Sequence, residues 1–419
     1  MGCVADVGDQ ATPNVQIDIE TPNGKSLNGT SLNGKSLNGI SLNGISLNGK
    51  SLNGVSLNGS QLIASSLSGS AVVGATMSGT LEDGTAISLR IDGAAPLAAP
   101  NADVWSYSVS YSQGSAWQPL CGSGVGAEAL AGTWNYGSGV VGGGSWTASA
   151  TQFTFGCRGT ALAKCVELGY KPWLTVNGTS LRNYHQACTR MLRADYCGDG
   201  TPHTFNGWEL DVFDAQSIQT ATPGLNWDFE AHWSGAGAMC MSGARALDLI
   251  VEGDVPTCIA QRLGTACAVG NFSDGSVMQD YFDPWSLSAA LNAAYTQYPN
   301  AQVQLQTAIT DVTNAVNYLA ATPPDPLDAA AQVALALTQI TAAVPKGVPP
   351  SFAQPLELRY TQLVRSSVTT AIAAATAAKA PAAKLTCANN ALAAGDSNAA
   401  SMLCPGAVIQ YRNALTCLK

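Results

Sequence analysis

From Lys25 the chain repeats itself every five residues: KSLNG, TSLNG, KSLNG, ISLNG, ISLNG, KSLNG, VSLNG, then the looser SQLIA, SSLSG, SAVVG and ATMSG. The apolar residue of each unit recurs at Leu27, Leu32, Leu37, Leu42, Leu47, Leu52, Leu57, Leu62, Leu67, Val72 and Met77. This period fits neither a helix, at about 3.6, nor a flat strand, at about 2.0. It fits a coil with four short sides, each aiming one side chain at the axis, so that successive turns stack. A flexible Gly/Asn/Ser linker is the competing reading. Ordering five residues costs roughly 5–10 kcal/mol, and burying one Leu returns only about 2–3 kcal/mol. The backbone ladder and the stacking of turns must supply the remainder. A Leu that never fails over nine units favours the coil.

Charged residues are only 11% of the 419-residue chain, and the net charge is −9. With no basic patch to neutralise phosphates, nucleic acid is excluded as a partner class. Of twelve cysteines, eight lie between Cys121 and Cys267 and three in the tail. The zinc spacings C-x2-C and H-E-x-x-H are absent. Dense cysteines without metal spacing predict disulfides drawn from Cys121, Cys157, Cys165, Cys188, Cys197, Cys240, Cys258, Cys267, Cys387, Cys404 and Cys417, and an oxidising, extracytoplasmic compartment. The opening Met1-Gly2-Cys3 places a cysteine after a small residue, as in a trimmed bacterial lipoprotein, and makes Cys3 the candidate for a lipid anchor to a membrane.

The repeat resembles the pentapeptide-repeat family, which implies a short right-handed β-helix. One departure stands out: a position that the family keeps small and inward holds Lys25, Lys35 and Lys50 here, and lysines are not buried unpaired. The whole chain is expected to be multidomain. Residues 1–24 form a leader or cap, 25–80 the β-helix, 81–282 a disulfide-rich α+β module, and 283–419 an Ala-rich α-helical bundle. Alternation at Ile87, Leu89 and Ile91, and again at Trp105, Tyr107, Val109 and Tyr111, marks strands. Leu305, Ile309, Val312, Val316 and Leu319 alternate fours and threes, as a bundle seam does. Asp325-Pro326 reads as a helix start, and Ser351 to Gln354 as a capping box.

The runs GTALAKCVELGYKPW, HQACTRMLRADYCGDG, TPHTFNG, DFEAHW and GAMC together resemble the ADYC-domain family over roughly residues 100–270. The resemblance implies a bacterial extracytoplasmic protein. It implies no particular activity and no cofactor.

Candidate chemistry is sparse. If Trp208, Leu210 and Val212 face a core, Glu209 and Asp211 face away. If Trp227, Phe229 and Trp233 do so, Asp228, Glu230 and His232 face away. Paired as a hairpin, these strands would gather carboxylates and an imidazole for acid–base work, or Asp211, Asp228 and Glu230 for a cation. The plainer reading is a polar, solvated sheet face. His185 and Cys188, three apart on one helix, could pair as imidazolium and thiolate, although a disulfide at Cys188 is the simpler expectation. Two functions follow. One is a cell-surface structural or adhesive protein that self-associates through the ends of its β-helix. The other is a secreted enzyme of the hydrolase type, acting through Glu209, Asp211, Glu230, His232 and His185.

Overall fold

Antiparallel pairing joins every pair of neighbouring strands among the described residues. The computed structural model describes residues 48–49, 55–64, 67–80, 86–112, 116–149, 152–204, 208–223, 227–245, 257–263, 265, 267–283 and 288–419. The chain divides into two compact units, Gly24–Asp283 and a second whose described part is 288–419.

The repeat region differs from the expected coil wherever it is described. Strands Val55–Asn58 and Gln61–Ala64 form a hairpin in which Leu57 lies opposite Leu62, and Leu67–Ser68 folds back on Gln61–Ala64. Asn48–Gly49 pairs with Thr76–Thr80. The reason is geometric. Across a two-residue turn residues i and i+5 face each other, which accommodates the repeat at Leu57 and Leu62, but at the next fold-back Leu67 lies opposite Ala64 and the period is broken. The turn is Gly59-Ser60, with Gly59 at φ +62°. It is pinned to the sheet below: Trp105 N donates to Ser60 Oγ at 2.8 Å, the Tyr107 hydroxyl donates to Ser60 O at 3.2 Å, and Leu62 N donates to that hydroxyl at 2.7 Å. Leu62 and Val72 are buried, whereas Leu67 is exposed. The β-helix expected for residues 25–47, like the leader at 1–24, lies outside the described residues.

The principal sheet runs, in spatial order, Asn48–Gly49, Thr76–Thr80, Ala86–Pro96, Trp105–Ser112, Ala127–Ala131 and Phe153–Cys157. Its alternating side chains, Ile87, Leu89, Ile91, Tyr107, Val109, Ala127, Ala129, Phe153 and Phe155, bury one core with Leu62 and Val72. A second sheet has the order Leu210–Asp214, Met278–Phe282, Asp228–Ser234, Gly237–Met241. Helix α1 (Ala161–Glu167) packs on Phe153–Cys157 and on α2 (Arg182–Leu192), α2 packs on this second sheet, and α3 (Thr257–Leu263) lies against its Gly237–Met241 strand. The first closes at Gly169, whose φ of +99° only glycine adopts without strain. Disulfides join Cys121 to Cys157, Cys165 to Cys188, Cys197 to Cys258 and Cys240 to Cys267.

The second unit is helical: α4 (Ser288–Gln297), α5 (Gln302–Ala320), α6 (Pro326–Ala343), α7 (Pro350–Ala377), α8 (Ala382–Ala400) and α9 (Cys404–Leu418). Asp325 caps α6 by accepting from Leu327 N and Asp328 N at 3.1 and 3.2 Å. The seam of α5 is shifted from its expected course. Leu305, Ala308, Val312 and Ala315 are buried, while Val316 is exposed. Alanine wins because it lets α5 and α6 approach closely. The expected capping box at Ser351 is also displaced: α7 begins at Pro350, capped by Pro349 without a side-chain bond. Segment Pro326–Lys346 is apolar and long enough to cross a membrane, at a mean hydropathy of 1.4. Within this unit, its Val333, Leu337 and Ile340 are buried. Helices α8 and α9 are tied by Cys387–Cys417 and by the Tyr411 hydroxyl donating to Asp396 at 2.8 Å. Gly395 is required there, since a Cβ would stand 2.2 Å from the Tyr411 ring. Cys404 is buried and takes part in none of the five bridges.

The Cys165–Cys188 bridge closes a 23-residue separation between α1 and α2. Replacing both cysteines by Ala is expected to lower the unfolding free energy by about 3 kcal/mol, read from urea denaturation, with a steeper slope because the released chain exposes more surface on unfolding.

Candidate functional site

The expected hairpin of carboxylates does not form. Strand Met278–Phe282 lies between Leu210–Asp214 and Asp228–Ser234 and pairs with both. The polar residues are consequently dispersed. Asp211 is buried and accepts from Thr222 N at 2.7 Å. His232 is buried, with Nδ1 2.7 Å from Asp274 Oδ2. Asp228 is exposed and Glu209 half-buried. Hence Asp211, Asp228 and Glu230 do not converge as cation ligands. His185 is fully buried, its Nε2 3.0 Å from Leu162 O. Burial, and then the charge of Arg182, pull His185 down to about 3. Cys188 is in a disulfide, so an imidazolium–thiolate pair is ruled out there.

Glu230 belongs to a wholly buried cluster that the sequence pattern did not reveal. It accepts from the Tyr196 hydroxyl and pairs with Arg245. Arg245 also reaches Asp280 at 3.2 Å, and Trp233 Nε1 donates to Asp280 at 2.7 Å. Burial and the adjacent Glu230 hold Asp280 well above the usual carboxylate range. The Arg245 guanidinium bonds both carboxyl groups and offsets their mutual repulsion. The strand alternation that suggested a wet face is real, but the face is covered by α2.

The motif Ala194-Asp195-Tyr196-Cys197 ends α2. Ala194 adopts φ +50°, and Asp195 N returns to Arg190 O at 2.9 Å, closing the helix as a glycine normally would. The Asp195 carboxylate pairs with Arg190 and accepts from Asp199 N and Gly200 N at 3.1 and 3.0 Å. Tyr196 enters the buried cluster, and Cys197 is bridged to Cys258. All four residues are thus spent on structure. Arg190 then reaches outward, donating to Gly143 O at 2.6 Å, Ser145 Oγ at 2.8 Å and Gly235 O at 3.2 Å.

Those contacts shape a cavity of about 290 Å³ lined by Ser145, Trp146, Arg182, Asn183, Gln186 and Gly235. Gln186 fixes its wall, accepting from Trp146 N at 2.9 Å and donating to Gly144 O at 2.9 Å. The Arg182 guanidinium lies over the Trp146 ring at 4.0 Å and near Trp134 at 5.9 Å. Its Nη1 is buried and has no hydrogen-bond partner among the described residues. Burial lowers Arg182 to about 10. A cation that is desolvated without a facing carboxylate is suited to an incoming anionic group.

Residues 69–247 match the ADYC domain. No curated protein and no solved structure matches the chain. The ADYC domain so delimited contains the groove, Arg190, the signature turn, Glu230 and Arg245. Asp280, on the strand that completes the buried cluster, lies beyond the matched span. Within the ADYC domain Glu128 is a further unexpected group. It is fully buried, and neither carboxyl oxygen has a hydrogen-bond partner among the described residues. Burial, then the charge of Glu167, raise it well above the ordinary carboxyl range.

Burial pushes Asp211 up to about 6 against the opposing bonds from Thr222. In the unfolded chain the same group titrates near ~3.9. The folded state holds the extra proton between these values, so its contribution to stability falls as pH rises through about 4 to 6. Asp211→Asn is expected to remove that fall. Urea unfolding of variant and wild type at several pH values across this window checks it, and the two curves should diverge with rising pH.

Proposed function

We propose that this chain is an extracytoplasmic recognition protein whose ADYC domain binds a carboxylate-bearing ligand in the Trp146–Arg182 groove. The observation that carries the proposal is Arg182 itself: desolvated, stacked on tryptophan, and without a facing acid among the described residues. Five disulfides among the described residues support an oxidising compartment outside the cytoplasm. A secreted hydrolase using Glu209, Asp211, Glu230, His232 and His185 has less support. Glu230 is committed to Arg245 and Tyr196, and Asp211 to Thr222.

Surface attachment through an acylated Cys3, and self-association through a coil built by the first repeats, complete the proposal. Both rest on residues outside the described ones. A sizing column run over a wide concentration range tests the second, and a monomer at every concentration excludes it.

The groove has a sharper test. Trp146 lines the groove, so the chain's tryptophan emission is titrated with carboxylate-terminated peptides and uronic-acid saccharides against their amide counterparts, with Trp146→Phe assigning the change to this site among the nine tryptophans. Carboxylates are expected to change the emission saturably and the amides not. Arg182→Gln is expected to weaken that binding about tenfold or more, the scale of a lost charge-assisted bond. Because no acid faces Arg182, the variant's stability cost is confined to the lost stacking on Trp146 and Trp134, about 1 kcal/mol, and the fold should remain intact by circular dichroism. An unchanged affinity in Arg182→Gln would sink the proposal.

A further inference from the structure

The Asp228–Ser234 strand carries His232 to a place the groove does not use. A ring nitrogen of His232 and the sulfurs of Cys240 and Cys267 lie within 4.8 Å of one another. The two sulfurs are joined as a disulfide. His232 is only 2% exposed. Its Nδ1 is held by Asp274 Oδ2 at 2.7 Å, and Asp274 is in turn held by Ser276 Oγ at 2.6 Å and Ser276 N at 3.0 Å. That leaves Nε2 buried with no hydrogen-bond partner among the described residues. An imidazole held by a carboxylate through Nδ1, with Nε2 unsatisfied and a ring nitrogen within 4.8 Å of two sulfurs, has the features of a metal-ligating histidine with its supporting acid.

We propose that His232, Cys240 and Cys267 form a zinc site that opens when the Cys240–Cys267 disulfide is reduced. A dithiol donor delivers two electrons and two protons, leaves as its own disulfide, and converts the bridge into two thiols. With the S–S bond broken, the sulfurs are free to spread around a tetrahedral centre. Zn²⁺ binds both as thiolates, releasing their two protons to solvent, and takes His232 Nε2 as third ligand. Two sulfurs and one imidazole form a donor set that suits zinc and leaves a fourth position for water. Oxidation reverses the sequence, so the site holds metal only while its thiols are reduced. Asp274 is a positioning residue, fixing the ring so that Nε2 is the free nitrogen. The proposal rests on neither the groove nor its ligand.

The test uses the full chain. It is partly reduced with a water-soluble phosphine, incubated with or without Zn²⁺, alkylated, and mapped peptide by peptide. Zn²⁺ is expected to slow labelling of Cys240 and Cys267 by about tenfold or more, while leaving Cys121 and Cys157 unaffected. Equal labelling with and without the metal, or protection spread evenly over all the cysteines, overturns the proposal. No variant is needed for that experiment. A second measurement uses Co²⁺, whose thiolate charge-transfer band should appear in the reduced protein and not in the oxidised one. His232→Ala keeps both cysteines and should weaken Co²⁺ binding about tenfold. An undiminished band in that variant removes His232 from the ligand set.

Discussion

Arg190 and Asp195 form an ion pair that is almost wholly out of water, with side chains 1% and 0% exposed. Such a pair holds only if the remaining donors and acceptors are also satisfied, because the desolvation of both charges would otherwise exceed their attraction. Here they are satisfied by backbone. Asp195 draws in the amides of Asp199 and Gly200, and Arg190 takes the carbonyls of Gly143 and Gly235. One pair therefore fixes the end of α2, the loop after it, the Gly-rich loop at 142–145 and the turn at Gly235. Two of its neighbours, Ser145 and Gly235, are walls of the groove. In this chain the turn Ala194–Cys197 is therefore a scaffold, and the Trp146–Arg182 groove is built on it.

The same logic governs the second cluster. Glu230, Asp280, Arg245, Tyr196 and Trp233 make a polar core inside an apolar one, each group bonded to another member. A fully connected network of this kind gains little net stability over a hydrophobic substitute, but it penalises any misalignment of its strands heavily. The bulges in the pairing of Asp228–Ser234, near Phe229 and His232, re-aim side chains so that Glu230 and His232 reach different partners from one strand.

Much of the fold was legible. The cysteine density pointed to disulfides, the alternation at Ile87–Ile91 and Trp105–Tyr111 located two strands, and Asp325-Pro326 marked the start of α6. Four features were not. The five-residue period is shared by a coil and by a hairpin with a two-residue turn, and only the long-range bonds from Trp105 and Tyr107 to Ser60 decide between them at residues 55–64. Glu209, Asp211 and Glu230 alternate with apolar residues as a wet face would, yet the second sheet is covered on that face, and period alone does not distinguish water from a polar core. Arg182 gave no local signal at all. Its significance comes from Trp134 and Trp146, more than 30 residues away in sequence. On α5, finally, Val316 lost its expected place to Ala308 and Ala315, because helix proximity rewards small residues over large ones.

The pattern of bridges carries a consequence for how the chain matures. Cys121–Cys157 and Cys165–Cys188 join neighbours in the order of synthesis, but Cys197–Cys258 and Cys240–Cys267 interlock. With Cys3 withdrawn by the proposed lipid, an oxidase that links the remaining cysteines as they emerge would complete the first two bridges correctly and then join Cys197 to Cys240. Cys387 would likewise meet Cys404 before Cys417. Reaching the final pairing from there requires thiol–disulfide exchange, so maturation by that route undoes bonds as well as making them.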